Sequence, residues 1–112
     1  MNQKPNLDAA KKLTVTYRVE PGCLGPKGPD LVEDFCRFAQ GKFETHDTEV
    51  ILWNITPRFD KNLPELQHQI NNKLLTRDQA SRYLSMFEID INKFEEHIEE
   101  LLVEFIDEFM EH

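Results

Sequence analysis

The chain has 112 residues, among them eight phenylalanines, two tyrosines and one tryptophan, which is enough apolar material for one domain with a hydrophobic core. Twenty-one acidic residues against thirteen lysines and arginines give a formal net charge of −8. This excess disfavours nucleic acid or an anionic membrane as a partner, because both would be repelled. No apolar run is long enough to cross a bilayer, and two cysteines do not make a disulfide framework, so we expect a cytosolic protein.

The first third of the chain predicts a strand followed by a loop. Residues 1–11 have little apolar content, and we expect them to be flexible, outside a single domain that covers residues 12–112. Residues 13–20 alternate apolar and polar side chains, which is the period of a half-buried strand. Residues 21–29 contain three of the four glycines and three of the six prolines, a composition that predicts a loop.

A first helix is predicted after this loop. It should begin at Asp30, a good N-cap with Glu33 in the capping-box position, and end at Gly41. The residues expected on its core face are Val32, Phe35, Cys36 and Ala39. Cys36 is therefore expected to be packed in the core rather than reactive.

The second half of the chain predicts two strands and then two helices. One strand is expected over residues 49–56 and a weaker edge strand over residues 66–71. Thr76 caps the next helix and Gln79 completes its capping box, whereas Asp90 begins the last helix. The short connection between these helices predicts a C-terminal helical hairpin.

The predicted fold is α+β, with the element order β-α-β-β-α-α. If the first helix is a right-handed crossover, the first two strands are parallel and the third is antiparallel. We therefore expect a three-stranded mixed sheet with the helices on one face. This order resembles half of a ferredoxin-like fold with its last strand replaced by helix, a likeness of topology that implies no function.

The charge excess is confined to the last helix, about residues 90–111. Residues 88–112 hold ten carboxylates and one lysine, a balance of −9, whereas residues 1–87 hold eleven carboxylates and twelve basic residues, a balance of +1. Such asymmetry favours a partner surface. Acids four residues apart, and acids at the C-terminal end, destabilise an isolated helix, so this helix needs support from other contacts.

The same helix is apolar over more of its circumference than one neighbour can easily cover. Leu101, Val103, Ile106 and Met110 widen its apolar arc to roughly 200°, against about 100° for an ordinary surface helix. We expect these four residues to contact a second copy of the chain, giving a homodimer, or another protein. Two alternatives stay open: the domain itself buries the stripe, or the acidic face imitates nucleic acid in a basic groove.

The Gly/Pro-rich loop is the basis of an alternative function. Cys23 precedes a helix N-terminus, where a thiol can become reactive, so it is a weak candidate nucleophile for a thiol-dependent enzyme. Gly25, Lys27 and Gly28 are weak candidates for binding an anion such as phosphate, although their spacing matches no P-loop or dinucleotide fingerprint. No cofactor is implied, no metal-ligand spacing is present, and the histidines are scattered.

One further region, at Arg58, Phe59 and Lys61, combines positive charge with an aromatic side chain and is a weak candidate for nucleic-acid contact. The acidic helix on the same small body opposes that interpretation. The sequence therefore predicts a small, non-enzymatic protein–protein interaction domain, with self-association through the acidic helix as the leading hypothesis.

Overall fold

The computed structural model describes residues 8–111 and shows a mixed sheet of four strands. The strands are β1 (Leu13–Val19), β2 (Ile51–Pro57), β3 (Leu66–Ile70) and β4 (Lys73–Leu75), in the spatial order β2-β1-β3-β4. β2 is parallel to β1, β3 is antiparallel to β1, and β4 is antiparallel to β3. The prediction of three strands is wrong by one, since β4 follows β3 after a two-residue turn.

Three α-helices accompany the sheet: α1 (Gly28–Phe43), α2 (Arg77–Ser85) and α3 (Ile91–Met110). The cap residues predicted for the last two are confirmed. The Thr76 side chain accepts a hydrogen bond from the backbone amide of Gln79, and the Gln79 side chain accepts one from the backbone amide of Thr76. The Asp90 side chain accepts from the backbone amide of Lys93. Residues 1–11 were expected to be flexible. Residues 1–7 of this segment lie outside the described residues, and Ala9–Lys11 form one 3-10 turn.

Helix α1 is longer than predicted at both ends. It begins at Gly28 without a side-chain cap, so the assignment of Asp30 as N-cap is wrong, and it continues through Gly41 to Phe43. The preceding loop is also more regular than expected, because Pro21–Leu24 form a 3-10 helix. Gly28 packs so tightly on this segment that an added Cβ would lie 1.7 Å from the Pro21 carbonyl oxygen.

The helices pack on one face of the sheet, where the odd-numbered side chains of β1 lie. Val15 of β1 is in register with Trp53 of β2 and with His68 of β3. The Trp53 ring stacks on Phe94 of α3 at a centroid distance of 5.8 Å and lies 4.9 Å from Phe43 of α1. These contacts join the helices and the sheet in one buried apolar cluster, which fixes the position of α3 on the domain.

Candidate functional site

The inward side of α3 belongs to the core. Its buried residues are Ile91, Phe94, Ile98, Leu101, Leu102 and Phe105. Leu101, which we predicted for the interface, is only 7% exposed, so its assignment to a partner surface is wrong. α3 packs against both α1 and α2, and this two-sided contact covers more of its apolar arc than a single neighbour could.

The outward side of α3 keeps part of the predicted surface. Val103 is 60% exposed and Met110 is 49% exposed. They are seven residues apart, which is about two helical turns, so they lie on the same side of the helix. Ile106 lies between them but is partly buried against the core. Of the four residues predicted for the interface, two are therefore available to a partner and one is partly available.

Next to Met110 the surface opens into an apolar cleft between α1 and α3. The cleft has a volume of about 350 Å³ and is lined by Leu31, Phe38, Phe109 and Met110; we call it the α1–α3 cleft. The Phe109 ring contacts Phe38 at a centroid distance of 5.7 Å. Sequence reasoning missed Leu31 and Phe38, although their spacing of seven residues places both on one side of α1.

Carboxylates lie along the outward side of α3, and most of them make no ion pair with another residue of the range 8–111. Among residues 8–111, α3 makes two ion pairs, Lys42 with Glu108 at 3.3 Å and Arg77 with Glu95 at 2.9 Å. The carboxylates on α3 and at its C-cap that make no ion pair in this part of the chain are Glu96, Glu99, Glu100, Glu104, Asp107 and Glu111. Three of these, Glu96, Glu99 and Glu100, line a shallow depression with Val103. The exposed apolar flank of α3 is therefore enclosed by uncompensated negative charge.

The Gly/Pro-rich loop uses its backbone donors internally. The Cys23 amide donates to Glu20, the Gly25 amide to Gly22 and the Gly28 amide to Gly25. These are the N–H groups that an anion cradle would present. Gly25 has a φ of +87°, a backbone conformation that favours glycine, and it forms part of the turn. The Cys23 side chain is exposed. Within residues 8–111 no cluster of three or more His, Cys, Asp or Glu side chains is arranged to hold a metal ion.

The two cations of the predicted basic region, Arg58 and Lys61, share one acidic partner. Both side chains pair with Glu20, which lowers the pKa of that carboxyl, because the two cations hydrogen-bond its charged form. Phe59 stays 59% exposed beside them. Phe59 lines an open cavity of about 460 Å³ between α1 and the end of β2, and the ion pairs of its basic neighbours with Glu20 weaken the case for a nucleic-acid surface here.

The free edge of the sheet at β2 is closed by a side chain. The Val50 carbonyl and the Arg58 amide form hydrogen bonds with β1. Because backbone groups alternate in direction along a strand, the N–H and C=O groups of Trp53 and Ile55 point away from β1, towards the free edge. The Gln40 amide donates to the Trp53 carbonyl and accepts from the Ile55 amide, both at 2.8 Å. Gln40 thereby takes the place of one residue of a neighbouring strand, and β2 is protected from edge-to-edge pairing.

Two buried titratable groups belong to the core. His68 is 5% exposed and its Nε2 has no hydrogen-bond partner among the described residues. Burial lowers the pKa of His68; the charge of Glu95 opposes this shift and that of Arg77 adds to it. Burial also raises the pKa of the Cys36 thiol to about 12, as expected for a packed cysteine on the core face of α1.

Comparison of the chain with protein-family models, with curated proteins and with solved structures gives no match in any of the three. Among residues 8–111, no helix is long and apolar enough to span a membrane.

Proposed function

We propose that this protein is a non-enzymatic protein–protein interaction domain that binds its partner through the outward flank of α3 and the α1–α3 cleft. The observation that carries the proposal is the exposure of Val103 and Met110 on a helix whose remaining large apolar residues are wholly or partly buried. Exposed apolar residues that stand alone on a surface need no explanation, whereas Met110 lines an apolar cleft together with three other apolar side chains, which is typical of contact sites.

The distribution of apolar and charged residues around the α1–α3 cleft also supports a partner surface. Its centre is apolar, with Leu31 and Phe38 from α1 facing Phe109 and Met110 from α3. Its border is polar and charged, through the carboxylates of α3. Apolar centres surrounded by a polar rim are common in interfaces, and a few central anchors supply most of the binding energy.

The test compares substitutions on this surface with substitutions of equally exposed apolar residues elsewhere. Val103→Glu combined with Met110→Glu changes the proposed surface. Leu74→Glu combined with Met86→Glu is the matched control, because these side chains are 63% and 74% exposed. Ile106→Glu would not be a clean test, because Ile106 packs against the core and its substitution would disturb the fold.

Two measurements are made on the wild type and both variants. Sedimentation velocity reports self-association, and quantitative affinity capture from lysate reports other partners, while circular dichroism checks the fold. We expect the α3 variant to lose an association that the control variant retains. A wild type that is monomeric, with the same captured proteins for all three chains, contradicts the proposal.

A further inference from the structure

We infer that the α3 flank receives a basic amphipathic helix of another protein, and not a second copy of this chain. The inference rests on the proposed function and names the chemistry of the partner. It is carried by the apolar α1–α3 cleft together with the unpaired carboxylates along the same side of α3, of which Glu96, Glu99 and Glu100 line a depression with Val103.

The cleft supplies the apolar part of the recognition. It lies between two helices, is about 350 Å³ in volume, and is lined by Leu31, Phe38, Phe109 and Met110. A groove of this kind accepts large side chains that recur on one face of an amphipathic helix. Val103 extends the apolar surface two turns towards the N-terminal end of α3, so a helical ligand would follow the axis of α3.

The carboxylates define the charge of the ligand. Within α3 the only basic residue apart from histidine is Lys93, close to the N-terminal end. Among residues 8–111, Lys42 is the one lysine or arginine that forms an ion pair with the C-terminal half of α3, and its partner is Glu108. The carboxylates beside Val103 are therefore left to solvent among the described residues, and lysines or arginines flanking the apolar face of a partner helix would complement their charge.

A second copy fits this surface poorly. A two-fold interface brings the same patch of both subunits together. The carboxylates around Val103 in one subunit would then face those of the other, within the range where charges at physiological ionic strength still interact. Pairing of copies through the middle of the β2 edge is also disfavoured, because Gln40 already binds the Trp53 carbonyl and the Ile55 amide there.

The experiment uses defined peptides as probes. The first is an amphipathic helix of about 18 residues, or five turns, with leucines on one face and lysines elsewhere, and the second has glutamates in place of the lysines. Binding to the full chain is followed by fluorescence anisotropy at low and high salt. Glu96→Lys combined with Glu100→Lys changes the proposed site, because both side chains line the depression with Val103, and Glu44→Lys combined with Glu88→Lys is the control of equal net charge.

We expect the lysine peptide to bind and the glutamate peptide not to bind. The α3 charge variant should bind the lysine peptide with about tenfold lower affinity than the wild type, and raising the salt concentration several-fold should lower the wild-type affinity comparably. The control variant should change the affinity by no more than about twofold. Val103→Ser combined with Met110→Ser should also weaken binding, which separates docking in the cleft from non-specific attraction of a cation.

Two sets of results overturn the inference, and they are distinguishable from failure of the proposed function. If the wild type is a dimer that Val103→Glu and Met110→Glu convert to monomer, the flank is an interface between copies; the proposed function then stands and the basic partner is wrong. If the lysine peptide does not bind, or binds equally to the α3 and control charge variants, the basic partner is wrong whatever the oligomeric state.

Discussion

The amide of Gln40 closes the free edge of β2, and its replacement tests how much this closure contributes to the fold. We choose Gln40→Met, because methionine keeps the length and most of the aliphatic volume of glutamine but cannot form either hydrogen bond. The Trp53 carbonyl and the Ile55 amide, each 2.8 Å from the Gln40 side chain, would lose their partner.

The magnitude follows from these two bonds. A net contribution of about 1 kcal/mol for each bond gives a loss of about 2 kcal/mol in the free energy of unfolding. The site is only partly buried, so water can replace part of the interaction and the loss should not exceed about 3 kcal/mol. Gln40→Glu should destabilise the protein at least as much as Gln40→Met, because its carboxylate can accept from Ile55 but places an anionic oxygen against the Trp53 carbonyl oxygen.

The assay is urea unfolding followed by circular dichroism, with sedimentation velocity as a second measurement. The uncovered edge of β2 should make Gln40→Met associate with increasing concentration, since exposed strand edges pair with one another. A loss of stability below about 0.5 kcal/mol, together with unchanged sedimentation, would refute the assignment of Gln40 as the cover of this edge.

Three further predictions concern the core and the loop. Because burial lowers the pKa of His68, the folded protein binds fewer protons at this residue than the unfolded chain does. The contribution of His68 to the free energy of unfolding should be constant above about pH 7 and fall below about pH 6.5, at up to about 1.4 kcal/mol per pH unit. His68→Leu should remove this pH dependence in urea titrations. Gly28→Ala should destabilise the protein by about 2 kcal/mol or more in thermal unfolding, because its Cβ has no room, whereas Gly41→Ala, which has open space within the helix, should stabilise it by about 0.5–1 kcal/mol. Cys23 is exposed and Cys36 is buried with a pKa of about 12, so a thiol reagent at neutral pH should modify the first and reach the second only on unfolding; two equal rates in the native state would contradict this.

Local signals in the sequence were sufficient for most of the elements. The alternation in residues 13–20 predicted β1, and the capping box at Thr76 and Gln79 placed the start of α2 correctly. β4 was missed because a strand of three residues is too short to show a period. Its signal was the pair Asn71 and Asn72, both with positive φ, which is the conformation of a tight hairpin turn.

The boundaries of α1 could not be read from the sequence, because tertiary contacts set them. Asp30 and Gly41 have the residue types of a helix start and a helix stop. The helix instead begins at Gly28, the residue whose lack of a Cβ lets it approach Pro21, and Gly41 is tolerated at an exposed position within the helix.

The candidate partner surface was predicted only in part for a similar reason. The periodicity of α3 showed that its apolar arc is wide, but it could not show that neighbouring elements bury Leu101 and most of Ile106. Nor could it supply Leu31 and Phe38, because these residues come from α1 and reach the surface only through the packing of α1 on α3. Which part of an amphipathic arc stays exposed is a property of the assembled domain.

The central claim is that the outward flank of α3 and the α1–α3 cleft form a partner surface. The most direct measurement is a titration of the isotopically labelled protein with the lysine-bearing amphipathic peptide, followed by two-dimensional NMR of the backbone amides. We expect the largest shifts at Leu31, Phe38, Val103 and Met110 and at their immediate neighbours. Shifts centred on the β2 edge or on Phe59, or no shifts at a saturating concentration of peptide, would contradict it.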